Sequence, residues 1–106
     1  MTSKQRAYLK SLAMNITPII QIGKNGLTPE VTESVNEAFN NRELIKIAVL
    51  QNCMDDPRQM AEMIAERTQS VVVQIIGKKI VLYKEGKDEN KKIILPKAAK
   101  QNDLDK

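Results

Sequence analysis

Apolar positions along the chain change period several times, and each change marks an element. Tyr8, Leu9, Leu12 and Ala13 fall on one helical face. Thr2, followed three residues later by Gln5, supplies a capping box for that helix. The helix ends between Asn15 and Pro18, because a residue before proline avoids the helical region. Residues 19–22 (IIQI) are short and β-branched and read as a buried strand. A second helix opens with Thr28 as N-cap, Pro29 in the first helical position and Glu30 in the first turn. Its buried stripe is Val31, Val35, Ala38 and Phe39, and Asn40-Asn41 stops it. Residues 44–50 (LIKIAVL) alternate as a strand, with Ile45, Ile47 and Val49 on one side and Leu44, Lys46 and Ala48 on the other. Asp56 and Pro57 start a third helix that turns Met60, Met63 and Ile64 inward and runs to about Gln69.

The remainder is β. Residues 71–76 (VVVQII), a Gly77-Lys78 turn and residues 79–83 form a hairpin, and residues 91–95 are expected to add a short last strand. The order α-β-α-β-α-β-β predicts an α/β two-layer sandwich, a mixed sheet of about four strands with helices mainly on one face. No internal repeat and no linker divides the chain. We therefore expect one domain over residues 1–97 and a flexible tail over 98–106.

Composition narrows the function. The 106 residues include no histidine, which removes the commonest general base and metal ligand. Cys53 is the only cysteine, so no intramolecular disulfide and no CxxC knuckle is available. No apolar run approaches the ~20 residues of a membrane span, and the charged N-terminus does not resemble a signal peptide. A reduced, cytoplasmic compartment is expected. Net charge is +4, and it is unevenly placed: residues 1–10 carry +3, residues 11–75 carry −3 and residues 76–106 carry +4. A basic front and rear around an acidic middle point to a polyanion partner, although solvated lysines would give the same count.

Candidate chemistry concentrates in two places. In the first, a strand runs into Gly23, Lys24, Asn25 and Gly26 and then into a proline-started helix. Glycines flanking two polar residues let backbone amides approach a phosphate, the helix N-terminus adds its positive end, and Lys24 adds a mobile charge. An ordinary strand-to-helix turn has the same residues, and Glu30 and Glu33 oppose an anion there. The segment is not a nucleotide-binding loop, since no Lys-Ser/Thr pair follows the second glycine. In the second, Lys78 and Lys79 sit at a hairpin tip and Lys84 ends the outgoing strand. Lys79, Val81 and Tyr83 share one parity, so one face is expected to present lysine and tyrosine, with Tyr83 available to stack on a base. Edge protection is the alternative role for those lysines. Lys46, a charge in an apolar strand, either joins the contact surface or snorkels at its rim. Asp55-Asp56 read as caps, Cys53 as packing or an inert surface thiol and the methionines of the third helix as packing, and no catalytic set, cofactor site or metal site is found.

Four segments in order, IIQIGKNGLTPEV, ELIKIAVL, VVVQIIGKKIVLYK and KKIILP, resemble the CRM domain over about residues 3–97, in particular its small stand-alone bacterial members, the YhbY-like proteins. The resemblance implies an α/β fold similar to the C-terminal domain of translation initiation factor three. It also implies a GxxG loop comparable to that of KH domains, here Gly23, Lys24, Asn25 and Gly26. The family's strand lysine falls on Lys46 and its hairpin on residues 77–84. Bacterial members associate with precursors of the large ribosomal subunit, and plant relatives promote group II intron splicing. Two positions depart from the pattern. Ala48 stands where a second lysine is frequent, and Lys84 stands where arginine, with its bidentate fork, is usual. The resemblance thus implies an RNA-binding protein that meets ribosomal RNA in a large-subunit precursor; with no catalytic set in the sequence it is expected to act by binding, as a monomer. Its RNA-binding residues would be Gly23, Lys24, Asn25, Gly26, Lys46, Lys78, Lys79, Tyr83 and Lys84, with helix residues Lys4, Arg6 and Lys10 extending the track. No membrane and no small-molecule substrate is implied. The alternative is a protein-interaction module docking on a ribosomal or other partner protein.

Overall fold

The computed structural model describes residues 1–86 and 93–96. Three helices and four strands follow one another as α1 (Ser3–Ala13), β1 (Ile20–Ile22), α2 (Pro29–Ala38), β2 (Leu44–Val49), α3 (Pro57–Thr68), β3 (Val71–Ile76) and β4 (Lys79–Tyr83). The caps are those the sequence predicts. Thr2 and Gln5 close a capping box on α1, the Thr28 hydroxyl accepts the Val31 amide, and Asp56 accepts the Arg58 amide. The helix α3 ends on Gln69 in the left-handed region, φ 57°.

The sheet order is β1-β2-β4-β3. β1 and β2 are parallel, with Ile20 opposite Ile47, while β2–β4 and β4–β3 are antiparallel. Parallel pairing of β1 and β2 needs a crossover, and α2 supplies it. A bulge between Val72 and Gln74 shifts the β3 register, a feature the alternating pattern does not announce.

The alternation within β2 sorts two cores. Ile45, Ile47 and Val49 pack with Ile80 and Leu82 under α2 and α3, where Val35, Phe39, Met60, Ala61 and Ile64 close the main cluster. Leu44, Val81 and Tyr83 face the other way, into a smaller cluster with Leu9 and Ala13 of α1. Ile93 and Leu95 pack against this second cluster. The helices thus lie mainly on one face, as expected, and α1 adds a partial third layer on the opposite face.

That partial layer corrects the reading of Tyr83. The parity shared with Lys79 and Val81 is right, but α1 covers the far half of that face and Tyr83 is only 5% exposed. Its ring is not presented to a base. Met63 is the converse case: it is 42% exposed, and Ala61, Ala65 and Thr68 fill the α3 interior beside Met60 and Ile64. Cys53 is buried in the main core. Of the expected last strand, Lys91 and Lys92 lie outside the described residues, as do residues 98–106 of the expected tail, and residues 93–96 belong to no strand.

Candidate nucleic-acid interface

Strand direction decides which loops meet. β1 and β2 run parallel, so the turn after β1 and the loop after β2 emerge at the same end of the sheet. β4 runs antiparallel to β2, and Ala48 stands opposite Lys79, so the β3–β4 turn arrives there too. Two backbone hydrogen bonds tie the three connections together. The Leu50 amide donates to the Ile22 carbonyl at 2.8 Å, and the Val49 amide donates to the Lys78 carbonyl at 2.7 Å. One end of the sheet therefore gathers Lys24 and Asn25, residues 50–56, and Lys78 with Lys79. The side chains of Lys24, Asn25, Lys78 and Lys79 are exposed.

The Gly23-Lys24-Asn25-Gly26 turn has a definite shape. The Gly26 amide donates to the Gly23 carbonyl at 2.9 Å and closes it. Gly26 is buried at φ +66°, and a Cβ placed there would lie 2.1 Å from Oδ2 of Asp55. The left-handed backbone favours glycine at this position, and any Cβ there would make the exposed Asp55 side chain rotate away. The Gly26 amide is thus used inside the turn, and the side chains of Lys24 and Asn25 stand exposed at its tip. Gly77, at φ +55° with open space around it, is needed for its backbone conformation in the two-residue hairpin turn.

Lys46 lies in mid-strand on the face that α1 only partly covers, half-buried, opposite Val81. Lys84 is not brought to the loop end. It follows the far end of β4, a strand whose five residues span about 17 Å, and its amide donates to the Glu43 carbonyl at 2.8 Å. Arg6 is likewise engaged elsewhere: its guanidinium donates to the carbonyls of Val72 and Val73 at the β3 bulge. Lys4 and Lys10 are exposed on α1.

Two features were missed by sequence reasoning. The β2–α3 loop sits against the glycine turn, with Asn52 Oδ1 and Leu50 Cδ1 each 3.6 Å from a Cβ built on Gly23. Met54 in the same loop is 91% exposed. No local signal marks these contacts, because they join segments almost thirty residues apart. The second is Glu43, only 4% exposed, whose two carboxylate oxygens accept the amides of Gly86 at 2.7 Å and Ile93 at 2.6 Å. Among the described residues no cluster of histidine, cysteine, aspartate or glutamate could hold a metal ion, and no helix is long and apolar enough to cross a membrane.

The family model of the CRS1 / YhbY (CRM) domain matches residues 1–84. The chain belongs to that family. It is similar to the Bacillus subtilis protein named probable RNA-binding protein YqeI, with 48% identity over 91% of this chain and 99% of the relative. It is also similar to a Haemophilus influenzae protein named RNA-binding protein, with 35% identity over 92% of this chain and 96% of the relative. The solution structure of a Staphylococcus aureus protein described as a candidate for RNA binding superposes on this CRM domain with a TM-score of 0.77. The two are 50% identical, and the match covers 91% of this chain and 99% of that one.

Proposed function

We propose that this CRM protein binds RNA through the loop end of its sheet and acts, without chemistry of its own, in assembly of the large ribosomal subunit in the cytoplasm. The observation that carries the reading is the convergence of Lys24, Asn25, Lys78 and Lys79 at the end where β1, β2 and the β3–β4 turn meet. Relatives named for RNA binding support the ligand class. Lys24 and the hairpin lysines neutralise phosphates, Asn25 offers an amide to a phosphate or a 2′-hydroxyl, and Gly23 and Gly26 fix the turn that exposes them. Lys46 extends the track onto the sheet face. With Tyr83 buried, affinity comes from charge and turn shape rather than from stacking.

The test is a Lys24→Asp/Asn25→Asp variant in filter binding to precursor ribosomal RNA. Both positions are exposed, so the melting temperature should stay within about 2 °C of wild type while affinity falls at least tenfold, about 1.4 kcal/mol. In a sucrose gradient of lysate the wild-type protein should co-sediment with large-subunit precursors and wash off with salt, and the variant should remain at the top. Wild-type binding by a folded variant would refute the loop assignment.

A further inference from the structure

The two edges of the sheet are not alike. β3 is closed to another strand, because Arg6 occupies the carbonyls of Val72 and Val73 and the bulge interrupts its register. β1, at the opposite edge, has no neighbour on its outer side among the described residues. Beside it runs a groove of about 600 Å³ between β1 and one flank of α2. Its apolar side chains are Ile19, which is 43% exposed, and Ile20, with Val31 and Ala38 of α2. Its α2 flank is Glu30, Ser34 and Glu37, spaced four and three residues apart so that they line one side of the helix. The whole of α2 carries three glutamates and no lysine or arginine, whereas the loop end beyond its N-terminus carries lysines. Arg42 stands at the end of the groove away from the glycine turn.

We propose that this groove is a second docking site, for an extended, lysine- or arginine-bearing segment of a partner protein. Charge complementarity selects the occupant. Carboxylates at Glu30 and Glu37 repel a phosphate backbone and attract a basic chain. An open strand edge favours an extended backbone, which can pair with β1, and the apolar positions take alternate aliphatic side chains. The RNA-binding end and the protein-binding flank are then separate surfaces, and the domain holds a nucleic acid and a basic protein at once. The groove as a peptide site does not depend on the RNA reading; the simultaneous holding of both partners rests on it.

The experiment is fluorescence anisotropy with the full chain and a labelled octapeptide of alternating lysine and valine. Saturable binding is expected, with at least tenfold weaker binding to Glu30→Lys/Glu37→Lys, a change at two exposed positions that the fold tolerates. Two control peptides separate the contributions. Alternating glutamate and valine reverses the charge, and the lysine–valine peptide with every backbone amide N-methylated keeps the charge and the side chains but cannot donate backbone hydrogen bonds; neither should bind. Equal binding of the N-methylated peptide would overturn strand-edge docking, and an unaffected Glu30→Lys/Glu37→Lys variant would overturn the groove. The Lys24→Asp/Asn25→Asp variant should keep the peptide whether or not it keeps RNA. Displacement of the peptide by a ribosomal RNA fragment would overturn the separateness of the two surfaces.

Discussion

The two ends of the sheet use polar residues for different purposes. At the end where β4 leaves the sheet, Glu43 is buried and holds the amides of Gly86 and Ile93, while its own carbonyl accepts the Lys84 amide. Tyr83 is packed beneath α1 nearby. At the other end, Lys24, Asn25, Lys78 and Lys79 project from two short turns into solvent. A buried polar group in a hydrogen-bond network raises stability and has nothing left for a ligand. An exposed lysine on a glycine-shaped turn adds little to stability and keeps its charge for a partner. The lesson is that basic residues of equal weight in the sequence are not equivalent: Arg6 and Lys84 stand away from the loop end, and Lys24, Lys78 and Lys79 stand on it.

Substitutions sharpen this contrast, beginning with the largest effect. Tyr83→Ala should cost about 3–5 kcal/mol in urea unfolding, because it empties a buried aromatic site. RNA affinity measured below the unfolding transition should stay within twofold, whereas a stacking role would lower it strongly. Glu43→Ala should cost about 2–3 kcal/mol, since two part-buried amides lose their acceptor. Hydrogen exchange should rise first at Gly86 and Ile93, and the loop end should still bind RNA once folded. The smallest effect compares two single lysines. Lys79→Ala should weaken binding about threefold and Lys84→Ala less than twofold; the reverse order would place the RNA at the wrong end of the sheet.

Much of the fold was legible because its signals are local. The Thr2–Gln5 capping box, the Thr28-Pro29 and Asp56-Pro57 helix starts and the Gly77-Lys78 turn each act within about four residues, and each is formed as read. The four-stranded mixed sheet followed from the order of elements. What escaped depends on distance along the chain. That α1 would cover Tyr83 is a packing fact between residues seventy apart. The Glu43 contacts, the Arg6 contacts and the approach of Asp55 to Gly26 have no periodicity to betray them. The glycine turn was visible as a motif, but the internal use of its Gly26 amide was not, and that leaves Lys24 and Asn25 as the exposed groups of the turn.

The most direct test of the central claim is the salt dependence of RNA binding by the wild-type chain and by Lys24→Asp/Asn25→Asp. Three or four phosphate contacts at the loop end predict that log K falls against log salt with a slope of about −2 to −3. The variant should show a visibly shallower slope on an unchanged fold. A wild-type slope near zero, or a variant slope equal to wild type, would contradict an electrostatic grip at that end of the sheet.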